Sequence, residues 1–344
     1  MSKAKSVATK GGYVMMDFQH SFGDDWMIQA KVKGASYDHW FNLFLDGDGV
    51  RNVPELQGDY LTDRGFSPTA GSTQFTYADN GAALASTDLL FENRVLDRRR
   101  PLQELAGEFN LSKEVQIGNT SHNFTLGTYL SNTRAEDDNW IWNYLGDFRN
   151  APRMVNLSFI ESTTGDTIAY STGGFINGSG RQTSNRYHQS SKSAIYFADE
   201  IKGERFGIDI GFRWERAVGI ISRETGIASN TFQKGEVSAN DFAVIVAGMF
   251  KINEQVNIYA NASSGYFFPE LRSVSFSAPG RPQSYETERI NQAEIGTKIG
   301  TRKFAATVAA FFANLQDRRS IDFVNDGQGG VIEEVFTQST RTLG

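Results

Sequence analysis

The segment that decides the fold is Arg205-Phe-Gly-Ile-Asp-Ile-Gly-Phe-Arg-Trp-Glu215, in which apolar and polar side chains alternate without a break. One parity carries large apolar residues, and these are Phe206, Ile208, Ile210, Phe212 and Trp214. The other parity carries glycine, aspartate, arginine and glutamate. Because successive side chains of a β-strand point to opposite faces, the pattern predicts a strand with one apolar and one polar face. A one-residue slip would exchange the faces, so the register is strongly specified.

The same alternation recurs along the rest of the chain. Clear copies lie at Asn291–Gly300 and Asp241–Ile252, and weaker ones lie at Leu105–Leu111, His122–Leu130, Val256–Phe268 and Lys303–Asn314. Together with turn residues, the pattern predicts about thirteen strands. They are expected near residues 12–20, 26–36, 101–112, 121–134, 153–161, 166–173, 187–201, 205–222, 240–252, 256–268, 286–299, 303–323 and 331–342. A short capped helix is expected at Ser86–Asn93, inside the first long loop.

The connections between these strands alternate in length. The short ones are Ser21–Asp25, Thr163–Gly165, Lys202–Glu204, Asn253–Gln255 and Gly300–Arg302. The long ones are Tyr37–Arg100, Ala135–Pro152, Gly174–Arg186, Arg223–Ala239 and Pro269–Tyr285. Short turns at one end and long loops at the other are typical of outer-membrane barrels. The sequence therefore predicts an all-β fold, a segment of an antiparallel transmembrane β-barrel.

The composition is compatible with this fold and argues against other classes of protein. No run approaches ~18 consecutive apolar residues, so no transmembrane helix is predicted. A barrel strand needs only alternate apolar positions, which agrees with a mean hydropathy of -0.40. The absence of cysteine excludes disulfides and thiolate metal sites. A net charge of -6 argues against a nucleic-acid partner.

The apolar parity favours a barrel in lipid over a soluble sheet. It is rich in Phe, Ile and Val, and it places aromatic residues near strand ends, as in the girdles of membrane barrels: Phe212, Trp214, Tyr266 and Phe268. Charged residues in mid-strand would then face a wet lumen, and these are Asp209, Arg213, Glu215, Glu294 and Lys298. In a soluble β-sandwich or propeller, which stays open as the alternative, the same charges would face outward.

Three segments carry a resemblance to a known family. Ser193-Ala-Ile-Tyr-Phe-Ala-Asp-Glu200, followed by the segment from Phe206 to Glu215, resembles a hairpin of TonB-dependent outer-membrane receptors. Ile252–Glu270 is similar to a strand and loop of that family. Glu286–Gly300, with the strand from Phe304 to Phe312, resembles a further pair of its strands. The motifs cover about residues 190 to 323, and the earlier part fits by strand rhythm.

The resemblance implies a barrel of roughly 22 strands with a plug domain inside. It also implies uptake of iron chelates, cobalamin, carbohydrates or similar scarce solutes, driven by a TonB complex of the inner membrane. Met1–Gly12 has no secretory signal, TonB box or plug, and Thr342-Leu-Gly344 lacks the family's terminal aromatic residue. We therefore expect residues 1–344 to be one partial barrel domain, an internal fragment without its plug and closing strands.

The loop Asp138–Arg149 contains the main candidates for solute binding. Its aromatic side chains Trp140, Trp142 and Tyr144 could stack on a sugar or chelate ring, while Arg149 could hold a carboxylate. The alternative interpretation is an interfacial aromatic anchor with the loop folded onto its neighbours.

Two further stretches suggest weaker sites. Asp46 and Asp48 alternate like calcium ligands, although Val50 occupies the next ligand position and a plain polar turn competes with this interpretation. The run Arg98-Arg-Arg-Pro101 could meet lipopolysaccharide phosphates at the barrel rim, or it could be a solvated turn. No other metal site is expected, since none of the histidines is paired at ligand spacing: His20, His39, His122 and His188.

The motifs of common enzymes are missing from the sequence. It contains no GxSxG, HExxH or phosphate-cradling loop, and no spacing selects a catalytic triad, so we expect neither an enzyme nor a cofactor. The leading hypothesis is a receptor segment whose partners are the TonB complex, outer-membrane lipid and lipopolysaccharide, and a small solute. A passive porin and a soluble β-rich binding protein remain as alternatives. The sequence does not predict which solute is bound.

Overall fold

The computed structural model describes residues 7–45, 54–66, 72–161, 163–182, 185–225, 229–271, 274, 276–278, 281–282, 285–325 and 331–344. The elements in chain order are β1 (Val7–Phe22), β2 (Trp26–Leu45), α1 (Gln57–Asp63), β3 (Thr73–Tyr77), β4 (Leu90–Ile117), β5 (Thr120–Asp147), β6 (Val155–Ile160), β7 (Thr167–Ala169), β8 (Ser171–Thr172), β9 (Phe175–Ile176), β10 (Arg181–Gln182), β11 (Arg186–Lys202), β12 (Phe206–Glu224), β13 (Phe232–Lys251), β14 (Val256–Phe267), β15 (Phe276–Ala278), β16 (Arg281–Pro282), β17 (Glu288–Gly300), β18 (Ala305–Asn325) and β19 (Val331–Leu343).

One large antiparallel sheet contains most of these strands. Its main path runs β1-β2-β4-β5-β11-β12-β13-β14-β17-β18-β19, so each long strand pairs with the next long strand in the chain. The sheet is a barrel wall that is not closed on itself. The short turns at 23–25, 118–119, 203–205, 252–255 and 301–304 all lie at one end. The predicted fold class and the alternation of short and long connections are therefore confirmed.

The outer face of the wall, defined as the face of the Phe206–Trp214 row, is apolar and exposed. Phe212 and Trp214 are 44% and 37% exposed, and they lie opposite Val244 and Phe242 of β13. The band continues across the wall because apolar residues of neighbouring strands fall into register with it. The inner face carries the charged parity, including Arg213 and Glu215. The predicted separation into an apolar and a charged face is confirmed, and the assignment of these faces to lipid and to a lumen stays a prediction.

Two of the predicted barrel strands do not belong to the wall. The segment expected at 153–161 forms β6, which pairs with β3 and with β7 in a separate three-stranded sheet. The segment expected at 166–173 is divided between β7 and β8, and β8 pairs with β9. Periodicity could not separate them, because it reports alternation and not the partner of a strand. The helix expected at 86–93 is also wrong: this stretch is a turn followed by the start of β4, and the short helix lies at α1.

The strands on the long-loop side extend further than predicted. β2, β4 and β5 continue through stretches that the sequence assigned to loops, and β4 and β5 reach 28 residues each. Beyond the apolar band neither face meets hydrocarbon, so the alternation of apolar and polar residues fades. Backbone pairing needs no such alternation, and the ladder between β4 and β5 extends to the pair of Leu90 and Asp147.

A small folded unit caps this projecting hairpin. The cap, defined as α1 with the β3-β6-β7 sheet, shares a core with the ends of β4 and β5, and the most buried members of this core are Tyr60, Leu90, Leu145, Val155 and Leu157. Helix α1 has only seven residues and no side-chain N-cap, so its stability comes from burying Tyr60 and Leu61 rather than from helix propensity.

A buried ion network fastens the helix of the cap to β4. Arg64 donates hydrogen bonds of 2.8 Å to Glu55 and to Glu92, and its guanidinium lies 3.6 Å from the centre of the Tyr60 ring. The Tyr60 hydroxyl donates to Glu92 at 3.0 Å. Burial first, and then the charge of Glu92, raise the pKa of the Tyr60 phenol above its usual value.

In the described ranges, no helix combines the length and the apolar character that crossing a membrane requires.

Candidate binding site on the inner face

A polar network centred on Arg213 crosses the middle of the inner face. The guanidinium lies 5.4 Å from the Tyr129 ring centre and 5.5 Å from that of Tyr196. It donates to Glu215 Oε2 from Nε at 2.9 Å and from Nη2 at 2.7 Å. The Tyr196 hydroxyl donates to Glu108 Oε1 at 2.6 Å. The network therefore joins aromatic and acidic groups of four adjacent strands, with Arg213 in contact with Tyr129, Tyr196 and Glu215.

Side chains replace backbone pairing along one boundary of the wall. The ladder between β13 and β14 stops part of the way up β13, and we call the boundary above it the seam. Across the seam, the Tyr266 hydroxyl donates to Glu215 at 3.0 Å, and Arg289 donates to Asp241. Thr287 donates to the same aspartate at 2.5 Å. Since Glu215 and Asp241 lie directly opposite each other on β12 and β13, these donors offset the repulsion of two carboxylates.

The connection from β14 to β17 folds back onto the inner face. We call its described residues between Phe268 and Tyr285 the inserted loop. Phe268 and Val274 are buried, and the ammonium of Lys192 lies 5.4 Å from the Phe268 ring centre. Leu271 occupies the space above Gly219 of β12, where an added Cβ would lie 3.0 Å from Leu271 Cδ1. A glycine is needed there because the loop approaches the wall so closely.

Tyr285 fastens the far end of the inserted loop. Its hydroxyl donates to the carbonyl oxygen of Pro269 at 2.8 Å, which closes the loop on itself. Its ring packs against the apolar cluster of Ile221, Val237 and Val274. Burial raises the pKa of Tyr285 to about 12, so the phenol stays neutral at physiological pH.

A cleft of 390 Å³ separates the inserted loop from the wall. Arg100, His188 and Lys192 line it together with Phe268 and Glu270. Arg100 donates from Nε to Asp137 at 2.6 Å, whereas its Nη2 is buried without an acceptor among the described residues. Guanidinium and ammonium donors beside aromatic rings form a site that can hold an anionic oxygen and a flat apolar surface together.

The prediction from sequence treated Arg98, Arg99 and Arg100 as one basic run and did not assign them to the two faces of a strand. Because alternate residues of β4 face opposite sides, Arg98 and Arg100 point to the inner face and Arg99 to the outer face. Arg99 pairs with Asp38 at 2.5 Å, and Arg98 and Arg100 lie against the Phe41 ring. Period-two parity was the signal that could have placed Arg100 in the lumen.

The predicted binding aromatics lie on β5 above the apolar band. Trp140, Trp142 and Tyr144 share the parity of Leu130, which is the outer parity. The two indoles stack with centres 6.0 Å apart, and the ring of Tyr144 is buried with its edge toward Phe91. These contacts are of the kind expected if the loop is an aromatic anchor folded onto its neighbours. A role in solute binding remains a prediction for these residues.

Arg149 lies apart from those three aromatics, within the cap. It donates to the Tyr77 hydroxyl at 2.5 Å and to Asp88 at 3.2 Å, and it also pairs with Asp147. The structure therefore does not join Arg149 to Trp140 in one pocket.

The weak calcium candidates Asp46 and Asp48 lie outside the described residues. Within the described ranges, no group of three or more His, Asp or Glu side chains is arranged to hold a metal ion.

The fold and this face together define a class of protein. A wall of consecutive antiparallel strands, with an exposed apolar band outside and a charged inner face covered by a loop, is part of a transmembrane β-barrel. Residues 7–344 match the family described as "TonB dependent receptor-like, beta-barrel". The chain therefore belongs to the TonB-dependent receptor barrel family, whose members are transport receptors of the Gram-negative outer membrane.

Two solved receptor structures are similar to this chain, and the first of them has the same fold. BauA, the ferric preacinetobactin receptor from Acinetobacter baumannii, is 14% identical with a TM-score of 0.56, and the match covers 98% of this chain and 42% of BauA. FyuA, the ferric yersiniabactin uptake receptor from Yersinia pestis, is 10% identical with a TM-score of 0.39 and coverage of 91% and 46%. The chain thus spans less than half of either receptor. Comparison with curated protein sequences gave no match.

Proposed function

We propose that this chain forms the wall of a receptor that imports a scarce solute through the outer membrane. The energy would come from a TonB complex acting through a plug domain. Family membership supports the transport role, and it argues against a passive porin or a soluble binding protein. The exposed outer band argues against the soluble alternative independently, because such a large apolar surface would aggregate in water.

Among iron chelates, cobalamin and carbohydrates, the cleft favours an anionic chelate. The single observation behind this choice is Arg100, whose Nη2 is buried without an acceptor while Nε is held by Asp137. An unpaired buried donor is unfavourable, and a carboxylate or catecholate oxygen would satisfy it with a charge-assisted bond. Lys192 adds a second cation, and Phe268 offers a ring for a flat chelate. A neutral sugar would offer Arg100 Nη2 no charged acceptor.

The test is direct binding to the purified chain in detergent. Isothermal titration would compare ferric citrate, a ferric catecholate, cyanocobalamin and maltotriose. We expect a ferric chelate to bind most tightly, and Arg100→Ala to weaken it by at least about tenfold. Arg205→Ala, which removes an exposed arginine at the short-turn end, is the matched control and should bind like the wild type. Unchanged affinity in Arg100→Ala would reject the cleft as the site.

Energy coupling is tested separately in cells that carry the whole receptor. Uptake of radiolabelled iron should stop when a protonophore collapses the inner-membrane gradient. A passive porin would instead continue to equilibrate the solute, and it would show steady ion conductance in planar bilayers.

We also propose that Trp140 offers a first contact for the solute at the rim, because its indole is 40% exposed beside that of Trp142. Trp140→Ala should then slow association without changing the dissociation rate. An unchanged association rate would leave the stacked pair with the anchoring role alone.

A further inference from the structure

The upper part of β13 has a neighbouring strand on one side only. β12 pairs with β13 along its whole length without a shift in register, whereas β14 pairs only with Val244–Lys251. Among the described residues, no strand pairs with the other side of Phe232–Ala243, since the nearby β16 pairs with β15 instead. We call the open side of Phe232–Asn240 the free edge.

The free edge arises because the end of β14 turns toward the inner face. Tyr266 shares the parity of Ser264, which lies on the outer face where β14 still pairs with β13. Its hydroxyl nevertheless donates to Glu215 on the inner face at 3.0 Å. Arg289, opposite Tyr266 on β17, likewise donates to Asp241 of the inner face. The hairpin of β14 and β17 therefore leans across the inner face above the ladder and leaves β13 without its second neighbour.

Alternate residues of the free edge direct their backbone groups away from β12. Just beyond the two ends of the ladder, Lys251 donates from its amide to Arg205, and Thr225 donates to Thr231. The odd-numbered residues of β13 are thus the ones that bond with β12, and the even-numbered residues face the open side. These are Phe232, Lys234, Glu236, Ser238 and Asn240, and within the described ranges none of their N–H groups has a backbone acceptor.

The free edge has little of the protection that exposed sheet edges usually carry. Proline, a bulge or edge lysines normally prevent such an edge from pairing with another chain. The segment Phe232–Asn240 contains no proline, and its ladder with β12 contains no bulge. Its lysine, Lys234, is followed on the same exposed outer face by Glu236. Opposite charges side by side do not repel every added strand, and they favour one with the complementary pair.

The inner side of the free edge selects an apolar side chain. Val237 is buried in a cluster with Ile221 and Val274, and Phe276 packs against this cluster while it remains partly exposed. A residue placed opposite Val237 by an added strand would extend the cluster. Gly235 leaves room opposite it for a side chain of any size. An antiparallel strand that fits this edge therefore reads apolar, basic, any residue, acidic.

The free edge lies beyond the apolar band. Phe242 of β13 is opposite Trp214, the last residue of the outer apolar row on the long-loop side. Phe232–Asn240 continues from there for roughly 26 Å of strand. In a receptor of the outer membrane the long loops face the cell exterior, so a partner of this edge comes from outside the cell.

We propose that the free edge binds an extended peptide segment of an extracellular protein by antiparallel strand addition. Main-chain hydrogen bonds to the even-numbered residues supply the affinity. A basic side chain opposite Glu236, an acidic one opposite Lys234 and an apolar one opposite Val237 supply the specificity. The interaction is independent of the cleft, which lies between the inserted loop and β4, β5 and β11, and of the solute that the cleft holds.

The test is fluorescence anisotropy of a dye-labelled peptide, Thr-Val-Lys-Val-Glu-Thr-Tyr, with the chain purified in detergent. Its matched control, Thr-Val-Glu-Val-Lys-Thr-Tyr, has the same composition with the two charges exchanged. We expect the first peptide to bind at least about fivefold more tightly. The double variant Lys234→Glu, Glu236→Lys should reverse this preference. Lys251→Glu, a charge reversal at the exposed short-turn end of the same strand, should leave the preference unchanged.

A second arm tests the backbone contacts. Ser238→Pro removes an N–H that points to the free edge and leaves every bond to β12 in place, so the affinity should fall by at least about tenfold. Heat-modifiable migration in gels would verify that each variant is folded. In residue-resolved hydrogen exchange, the bound peptide should protect the amides of Lys234 and Glu236. The amides of Gly235 and Val237 are already bonded to β12 and should not change.

The proposal is overturned if the two peptides bind the wild type equally well, or if exchanging the charges of the edge does not reverse the preference. It is also overturned if the amides of Lys234 and Glu236 are already protected in the chain without peptide, because the inserted loop would then occupy the edge itself.

Discussion

Removing the arginine that closes the seam should open the wall locally. In Arg289→Gln, Asp241 would keep its bond from Thr287 but lose its cationic partner, while Glu215 would remain directly opposite. Asp241 is 7% exposed, so water cannot replace the lost charge. Two unit charges about 5 Å apart at an effective dielectric constant near 20 repel by about 3 kcal/mol. Breaking a buried ion pair costs a similar amount, about 3–5 kcal/mol.

The assay is hydrogen–deuterium exchange of the chain in nanodiscs. Peptides covering residues 239–244, 262–267 and 286–291 report on the two sides of the seam. A loss of 3 kcal/mol in the free energy of local opening corresponds to exchange faster by roughly 100-fold. Peptides at the short turns should not change. Arg289→Lys keeps the charge and should lose less than half as much.

A double-mutant cycle makes the reasoning refutable. Asp241→Asn removes the charge that Arg289 balances, so Arg289→Gln in that background should cost about 2 kcal/mol less than it costs alone. Arg302→Gln, an exposed change at a short turn, controls for the loss of any arginine. If Arg289→Gln leaves exchange within about threefold of the wild type, or if the two changes are additive, the seam is not closed by this ion pair.

Three further predictions concern the cap and the inserted loop. Arg64→Met should destabilise the cap by about 3–5 kcal/mol, because two buried carboxylates lose their partner. Limited proteolysis should then cut near α1, while the barrel stays heat-modifiable. An unchanged cleavage rate would contradict this. Because the pKa of Tyr285 is raised to about 12, the neutral phenol contributes its full stabilisation below pH 10 and loses it as the pH rises to 12. The ultraviolet difference titration between the wild type and Tyr285→Phe should have its midpoint near 12. A midpoint near 10 would show an exposed phenol. Gly219→Val should expel the inserted loop. Maleimide should therefore label a Val274→Cys reporter at least about tenfold faster in this cysteine-free chain. Gly207→Val, placed where an added Cβ has space, is the control and should not change the labelling rate.

Parity along single strands was sufficient to predict the wall. The row from Phe206 to Trp214 was assigned to lipid and the charges at Arg213 and Glu215 to the lumen, because a β-strand allows only these two faces. The connection lengths then gave the antiparallel order. Both inferences use local sequence, which is where the signal for a barrel strand resides.

The cap and the cleft could not be predicted in the same way. β6 and β7 alternate like barrel strands. Only the pairing of β6 with β3, some 80 residues away in the chain, and of β7 with β6 places them in the cap. The cleft depends on Phe268 and its loop folding across the wall to Lys192, a contact between distant residues that no periodicity reports. The loop motif at Trp140 was visible in sequence because aromatic residues are conspicuous, whereas Arg100 was hidden within a basic run.

The length of the β4–β5 hairpin sets where a diffusing molecule first touches this protein. Twenty-eight residues correspond to roughly 90 Å of strand, of which hydrocarbon covers only about a third even when the strands tilt. The remainder projects beyond the apolar band, with the cap at its tip. Under the import role proposed above, a solute would therefore first meet this protein several nanometres above the bilayer.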